Sequence, residues 1–310
     1  MVPALPVVFP PGSDGSSKIP VIINPGARSA RAGKRLEAIR SLSSRVELHG
    51  TQGAGDAGRM AEEMARAGAP LIVAAGGDGT VNEVVNGIVR AGAEDRTMLG
   101  VLPTGTMNVF AAELGMAAAR LDECWRAITS GRPRRVDLWE LNGVRFVQLA
   151  GVGMDAAIIQ ATTWEAKKKY GPVSYLMSGW RLLGGRGIEL KVEAEGGEVV
   201  TGTQVLVGNG RNYGGPFPMF PNAVAGDGLL DVVVMPRHGW REFYAVGRAM
   251  LSGRYAPARG VHYFQTPGLK VTAAEPVAFE VDGELAGAAE VLKFAHAGSV
   301  VVMAPVPVGR

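Results

Sequence analysis

From Ile19 to Leu114 the chain repeats one unit four times: a short apolar run followed by a segment with helical spacing. The runs are VIIN (21–24), RVEL (45–48), LIVAAGG (71–77) and MLGVLP (98–103), and the helical segments are Ser29–Ser41, Asp56–Ala67, Thr80–Arg90 and Thr106–Leu114. Strands of this kind, each followed by a helix, pair in parallel and cross over through the helices, so an α/β layer is predicted. A further helical pattern over Leu121–Ser130 closes the series, and near Asp137 the rhythm changes. RRVDLWEL, RFVQLAGVG, IELKVEAEG, TQVLVGNG, LLDVVVM, LKVTAA and VAFEVDG then follow one another with turn residues between them, as antiparallel strands do. Two helical stretches, Ser174–Leu183 and Trp240–Leu251, interrupt them.

A chain of 310 residues suits two domains. The expected division is a leader over 1–18, an α/β domain over 19–137 and a β-rich domain over 138–310, with the last strand free to return to the first domain. The leader is broken by prolines and has neither the charged start nor the cleavage pattern of an export signal. No run approaches the ~18 apolar residues of a membrane span. The net charge of +3 comes without a Lys/Arg cluster interleaved with aromatics, which argues against nucleic acid as a partner. One cysteine, Cys124, excludes a disulfide framework within the chain and a zinc site built from several thiolates, and the four histidines lack ligand spacing. There is no GxSxG nucleophile elbow. A reducing cytoplasm is the simplest setting.

In an open α/β sheet, ligands bind at the carboxyl ends of the strands. Three loops there stand out. Ala74-Ala75-Gly76-Gly77-Asp78-Gly79-Thr80-Val81-Asn82-Glu83 follows a buried-strand pattern and opens a helix. Its three glycines let the backbone approach a diphosphate, and the N–H groups at the helix start face negative charge. Asp78 would repel bare phosphate but suits a Mg²⁺ ion between carboxylate and phosphate. The same residues also fit a plain strand-to-helix turn capped by aspartate. Leu102-Pro103-Thr104-Gly105-Thr106-Met107-Asn108 is the second loop, where Thr106 serves as a phosphate contact or a helix cap, and Asn24-Pro25-Gly26-Ala27 is the third.

Taken in order, INPGARSARAG, GTQGAGDA, GGDGTVNEVVNGI, LPTGTMNVFAAELG, GVGMDA, NGRNYGG, PNAVAGDGLLDV and DGE resemble the diacylglycerol kinase catalytic family, which includes bacterial lipid kinases and the sphingosine and ceramide kinases. The likeness runs from about residue 20 to 305. GGDGT alone is shared with NAD kinases, whereas GGDGTxNEVxNG together with GDGLLDV is specific.

The resemblance implies an NAD kinase-like α/β amino-terminal domain that holds ATP and a mainly antiparallel β-sandwich carboxy-terminal domain that completes the cleft. It implies nucleotide contacts from Asn24, Thr51, Gly76, Gly77, Asp78, Gly79, Thr80, Val81, Asn82 and Thr106. It assigns Asp78 to a catalytic Mg²⁺ through water, and Asp227 with the carbonyls of Val224 and Leu229 to a structural Mg²⁺. Asp137 would link the two metal regions. Glu284 matches the general base that takes the proton of the lipid hydroxyl; without the resemblance, DGE reads as an ordinary hairpin turn.

The implied activity is ATP- and Mg²⁺-dependent phosphorylation of a diacylglycerol-like lipid at the membrane surface, by a cytoplasmic protein that visits the bilayer transiently and for which a homodimer is left open. The alternatives are a kinase of a sphingoid base, glycolipid or NAD, and an inactive lipid-binding relative. Asn108 is followed by Val109 where the family often has aspartate. Lys167, Lys168 and Lys169 suit either anionic headgroups or a solvated helix face. NGRNYGG is read as a structural turn.

Overall fold

The computed structural model describes residues 17–24, 30–116, 120–153, 187–213, 218–236 and 261–306. Residues 1–16 of the expected leader, the helices expected at 174–183 and 240–251, and Lys167–Lys169 lie outside these described residues.

The first lobe is a parallel sheet of β1 (Ile19–Ile23), β2 (Val46–Gly50), β3 (Leu71–Gly76) and β4 (Met98–Pro103), with α1 (Ala30–Arg40), α2 (Asp56–Arg66), α3 (Asp78–Arg90), α4 (Val109–Glu113) and α5 (Leu121–Ser130). The strands lie in the order β2-β1-β3-β4. Chain direction therefore reverses its progress between β1 and β3, and that switch point opens a crevice beyond their carboxyl ends. Ile22, Ile72, Val73, Val84, Val85 and Leu99 are wholly buried between sheet and helices. Helices α2 and α3 approach closely at two glycines: a methyl group on Gly87 would stand 2.3 Å from the Gly58 carbonyl oxygen.

The second lobe is antiparallel: β5 (Arg132–Leu141), β6 (Val144–Phe146), β7 (Leu149–Gly153), β8 (Leu190–Ala194), β9 (Val199–Gly202), β10 (Gln204–Gly208), β11 (Leu230–Met235), β12 (His262–Thr266), β13 (Leu269–Val281) and β14 (Glu284–Ala304). The mixed α/β fold class expected from the sequence is present. Within it, RFVQLAGVG is two strands rather than one, and LKVTAA and VAFEVDG are one strand, β13. The break in the first has a local cause, because the N–H groups of Val147, Gln148 and Leu149 leave the ladder and bond a carboxylate, Asp282.

β14 ties the lobes together. It leaves a hairpin with β13, pairs antiparallel with β5 from Phe294 onward, shifts register between His296 and Ser299, and ends parallel to β4 at Val302 and Leu99. Its last residues, Val300, Val302, Met303 and Ala304, are part of the first-lobe core, while Leu292 and Phe294 belong to the second. A third apolar cluster joins Val109 of α4 to Leu149, Leu206, Tyr213, Phe220 and Val233. Among the described residues no helix is long and apolar enough to cross a membrane.

Candidate active site

Three backbone hydrogen bonds gather the predicted loops at the switch point. The Asn24 N–H donates to Ala75 O at 3.3 Å, the Thr51 N–H to Ile23 O at 2.9 Å and the Thr104 N–H to Gly76 O at 3.1 Å. The glycines permit this approach. A methyl group on Gly105 would stand 2.4 Å from the Gly77 Cα, and one on Gly76 the same distance from the Thr80 side chain. Asn108, at φ 51°, holds the second loop closed by accepting the Gly105 N–H and donating to its carbonyl.

Gly77 precedes the first turn of α3 in an extended conformation. The Val81 N–H already donates to Gly77 O, and the Val81 side chain is buried in the first-lobe core. Helix geometry leaves the N–H groups of Gly79 and Thr80 without intrahelical partners, and these are the donors a phosphate would meet. Thr51 and Thr80 are buried, whereas Asn24 and Thr106 are exposed at the rim.

Asp78 turns its carboxylate to the start of α4, accepting the Phe110 N–H at 3.0 Å. Burial pushes its carboxyl above the usual range, opposed by the N–H groups of Phe110, Val109 and Asn108. Asn82 does not turn its amide to the glycine loop. Its Nδ2 donates to Arg145 O and to Asp282 Oδ2, and its Oδ1 accepts from Asn86. Glu83 bonds the N–H groups of Gly55 and Ala57 and so caps α2, beside Thr51.

Glu284, from the second lobe, stands over this loop. A methyl group on Gly79 would lie 2.7 Å from Glu284 Oε1. The Glu284 carboxylate is exposed and makes no hydrogen bond with a described residue.

The remaining predicted acids form a second group. Asp137 Oδ2 accepts the Gly228 N–H at 2.7 Å, and Oδ1 lies 3.3 Å from His296 Nε2. Gly226, at φ 135°, presses the 224–229 turn onto β5, where a methyl group would stand 2.6 Å from Arg135 O. Asp227 Oδ1 accepts the Leu229 N–H, and Val224 O accepts the Asp227 N–H. This turn offers the second Asp227 oxygen and the Val224 and Leu229 carbonyls, an all-oxygen donor set of the kind Mg²⁺ takes. Among the described residues no group of three His, Cys, Asp or Glu gathers to hold a metal, so an ion bound here draws on backbone carbonyls.

Several side chains organise the cleft that the sequence reading does not single out. Asn209 is wholly buried; it donates to the carbonyls of Asp137 and Val147 and accepts the Trp139 indole N–H. Glu113, on α4, accepts the Arg211 N–H and the Asn212 amide. The NGRN stretch is thus a turn that seals the junction of the lobes. Asp231 is wholly buried and accepts hydrogen bonds from Tyr263 and Gln265. The available signal was the polar residue amid apolar runs, as in LLDVVVM, which calls for a buried partner.

Comparison with known proteins bears on the family and the fold. Residues 18–141 match the family described as Diacylglycerol kinase catalytic domain, and residues 148–304 match the YegS C-terminal NAD kinase beta sandwich-like domain. The chain is 31% identical over 257 residues to "Diacylglycerol kinase" of Bacillus subtilis (strain 168), covering 81% of this chain and 83% of that protein. It is 34% identical over 270 residues to "Probable lipid kinase YegS-like" of Pseudomonas aeruginosa PAO1, covering 84% and 83%. A crystal structure of a diacylglycerol kinase from Bacillus anthracis str. Sterne superposes with a TM-score of 0.74 at 24% identity, over 93% of this chain and 97% of that one.

Proposed function

Since the chain belongs to the diacylglycerol kinase catalytic-domain family of lipid kinases, phosphotransferases acting on a hydroxyl, we propose that it transfers the γ-phosphate of ATP, with Mg²⁺, to the hydroxyl of a diacylglycerol-like lipid. The observation that carries this reading is the Glu284 carboxylate standing over Gly79. A helix start with free N–H groups and an acceptor poised above it are what in-line phosphoryl transfer to an alcohol requires.

In this reading the nucleotide phosphates lie against Gly76–Thr80, with Thr51 buried beside them and Asn24 and Thr106 at the rim. The N–H groups of Gly79 and Thr80 neutralise phosphate charge without a side chain in the way. Glu284 accepts the proton of the lipid hydroxyl as its oxygen attacks; it is exposed, and among the described residues no hydrogen bond engages its oxygens. Asp78 would serve a catalytic Mg²⁺, and Val224, Asp227 and Leu229 would hold a structural one. Such ions supply charge neutralisation and order. Asp137 joins that turn to β5. The lipid reaches the cleft from a bilayer that the protein visits peripherally. The boundary between nucleotide and lipid domains is placed near Asp137, with β14 shared.

The test is incubation of purified protein with labelled ATP and mixed micelles of diacylglycerols, sphingoid bases or glycolipids, with Mg²⁺ or with chelator. Mg²⁺-dependent label in the diacylglycerol is expected. Label in no lipid overturns the reading, and transfer to NAD in the absence of lipid replaces it.

A further inference from the structure

Asp282 and Gly283, at φ 47° and 84°, form the two-residue turn between the paired Val281 and Glu284. Asp-Gly is a favoured pair for such a turn, and there the aspartate is ordinarily solvated. Here its carboxylate is enclosed instead. Oδ1 accepts the N–H groups of Gln148 at 2.9 Å and Leu149 at 3.1 Å, and Oδ2 accepts the Val147 N–H at 2.9 Å and the Asn82 amide at 2.8 Å. The Asp282 N–H in turn donates to Leu149 O at 2.9 Å. A second brace comes from Glu280, itself wholly buried, which accepts the Gly283 N–H and the Tyr213 hydroxyl.

These bonds close a ring of structure around the site. Asn82 belongs to α3, the helix whose first turn carries Gly79. Asp282 is two residues from Glu284, whose carboxylate faces Gly79. One carboxylate therefore joins the helix that would hold the phosphates to the turn that carries the acceptor of the proton. With its oxygens engaged by four donors, Asp282 has no lone pair to offer a substrate, which separates its role from that of Glu284.

We infer that Asp282 is a positioning residue for phosphoryl transfer: it holds Glu284 at the correct distance from the glycine loop by bonding α3 and the 147–149 segment at once. This rests on the reading of Glu284 as the general base. Its logic is geometric, since a displacement of about 1 Å at a reacting group costs on the order of 10²-fold in rate. Asparagine keeps the turn but turns an N–H₂ group toward N–H donors, so the enclosure opens and Glu284 loses its reference point.

The test is a double-mutant cycle of Asp282→Asn and Glu284→Gln, with kcat, ATP KM and Tm measured for each protein in Mg²⁺-ATP and diacylglycerol micelles. Asp282→Asn is expected to lower kcat by roughly 10²-fold, with ATP KM changed by less than about threefold. The double variant is expected to be no slower than Glu284→Gln alone, because residues acting as one unit are not additive. Asn82→Ala removes a side-chain donor to Asp282 and covers the case in which Asp282→Asn does not fold. It should lower kcat in the wild-type background and leave it unchanged in the Glu284→Gln background.

Losses that multiply, or an Asp282→Asn protein with wild-type kcat, overturn the role of Asp282 while leaving the base assignment standing. Full turnover by Glu284→Gln overturns the base assignment itself. A purely structural role predicts a lower fraction of ATP-binding protein with unchanged kcat per bound site, and that outcome also overturns the inference.

Discussion

Asp78 and Phe110 are joined by a hydrogen bond of 3.0 Å that ties the first turn of α3 to the first turn of α4. The aspartate at the centre of the glycine loop therefore acts from one helix as the cap of another. Asp78→Ala is expected to abolish transfer and also to remove about 0.5–2 kcal/mol of stability, the usual contribution of a capping side chain. Urea unfolding alongside the transfer assay measures both, and a variant with wild-type stability contradicts the capping role.

Gly79→Ala separates activity from stability in the opposite sense. Alanine suits the first turn of α3, so the fold should be unchanged or gain up to about 1 kcal/mol. The new methyl group would stand 2.7 Å from Glu284 Oε1 and must displace that flexible carboxylate. Transfer should fall at least about tenfold, by analogy with other displaced catalytic groups. Calorimetry and initial rates on the same preparation decide it.

Glu284→Gln should slow transfer by roughly 10²–10⁴-fold while ATP binding stays intact, since the amide keeps the shape and loses the basicity. Equilibrium binding of a non-hydrolysable ATP analogue, compared with kcat, checks the division.

Asp227→Ala should erase the Mg²⁺-dependent part of the melting temperature. A ligand held only by the folded state at a hundred times its Kd contributes about 2.7 kcal/mol. Wild-type protein in chelator should melt with the variant, and an unchanged difference between Mg²⁺ and chelator in Asp227→Ala would rule out the turn as the ion's seat.

Asp231 gives a pH signature. Burial pushes its carboxyl above the usual aspartate range, against hydrogen bonds from Tyr263 and Gln265. A folded-state pKa above the unfolded value means that the folded chain binds the proton more tightly. The associated stability is full below the unfolded pKa of about 3.9 and is lost as pH rises through the folded value. The stability of wild type minus that of Asp231→Asn should therefore shrink as pH rises above about 4, as read from urea midpoints in a pH series.

The first lobe was legible because its signals are local. Each strand is a short apolar run, each helix has its own period, and glycines mark the loops between them. The second lobe was less so. Glu275-Pro276 reads as a turn, yet β13 runs through it with a register irregularity between Thr272 and Val277, where proline is tolerated because the ladder is already interrupted. ELAGAAEV has the composition of a helix but forms the start of β14, since the Asp-Gly turn brings it against β13 and pairing overrides propensity. At the candidate site, the loops and Glu284 follow from order and resemblance. The destination of a side-chain hydrogen bond does not: Asn82 reads as a nucleotide contact by position, while its amide bonds Asp282, two hundred residues away.

The path of β14 fixes the order in which the molecule can be completed. Val300, Val302 and Met303 fill the core beneath β4, so the lobe translated first lacks part of its interior until the final residues of that strand leave the ribosome. The first-lobe interior is thus completed late in synthesis, and residues 19–130 cannot be excised as a continuous piece with that interior intact.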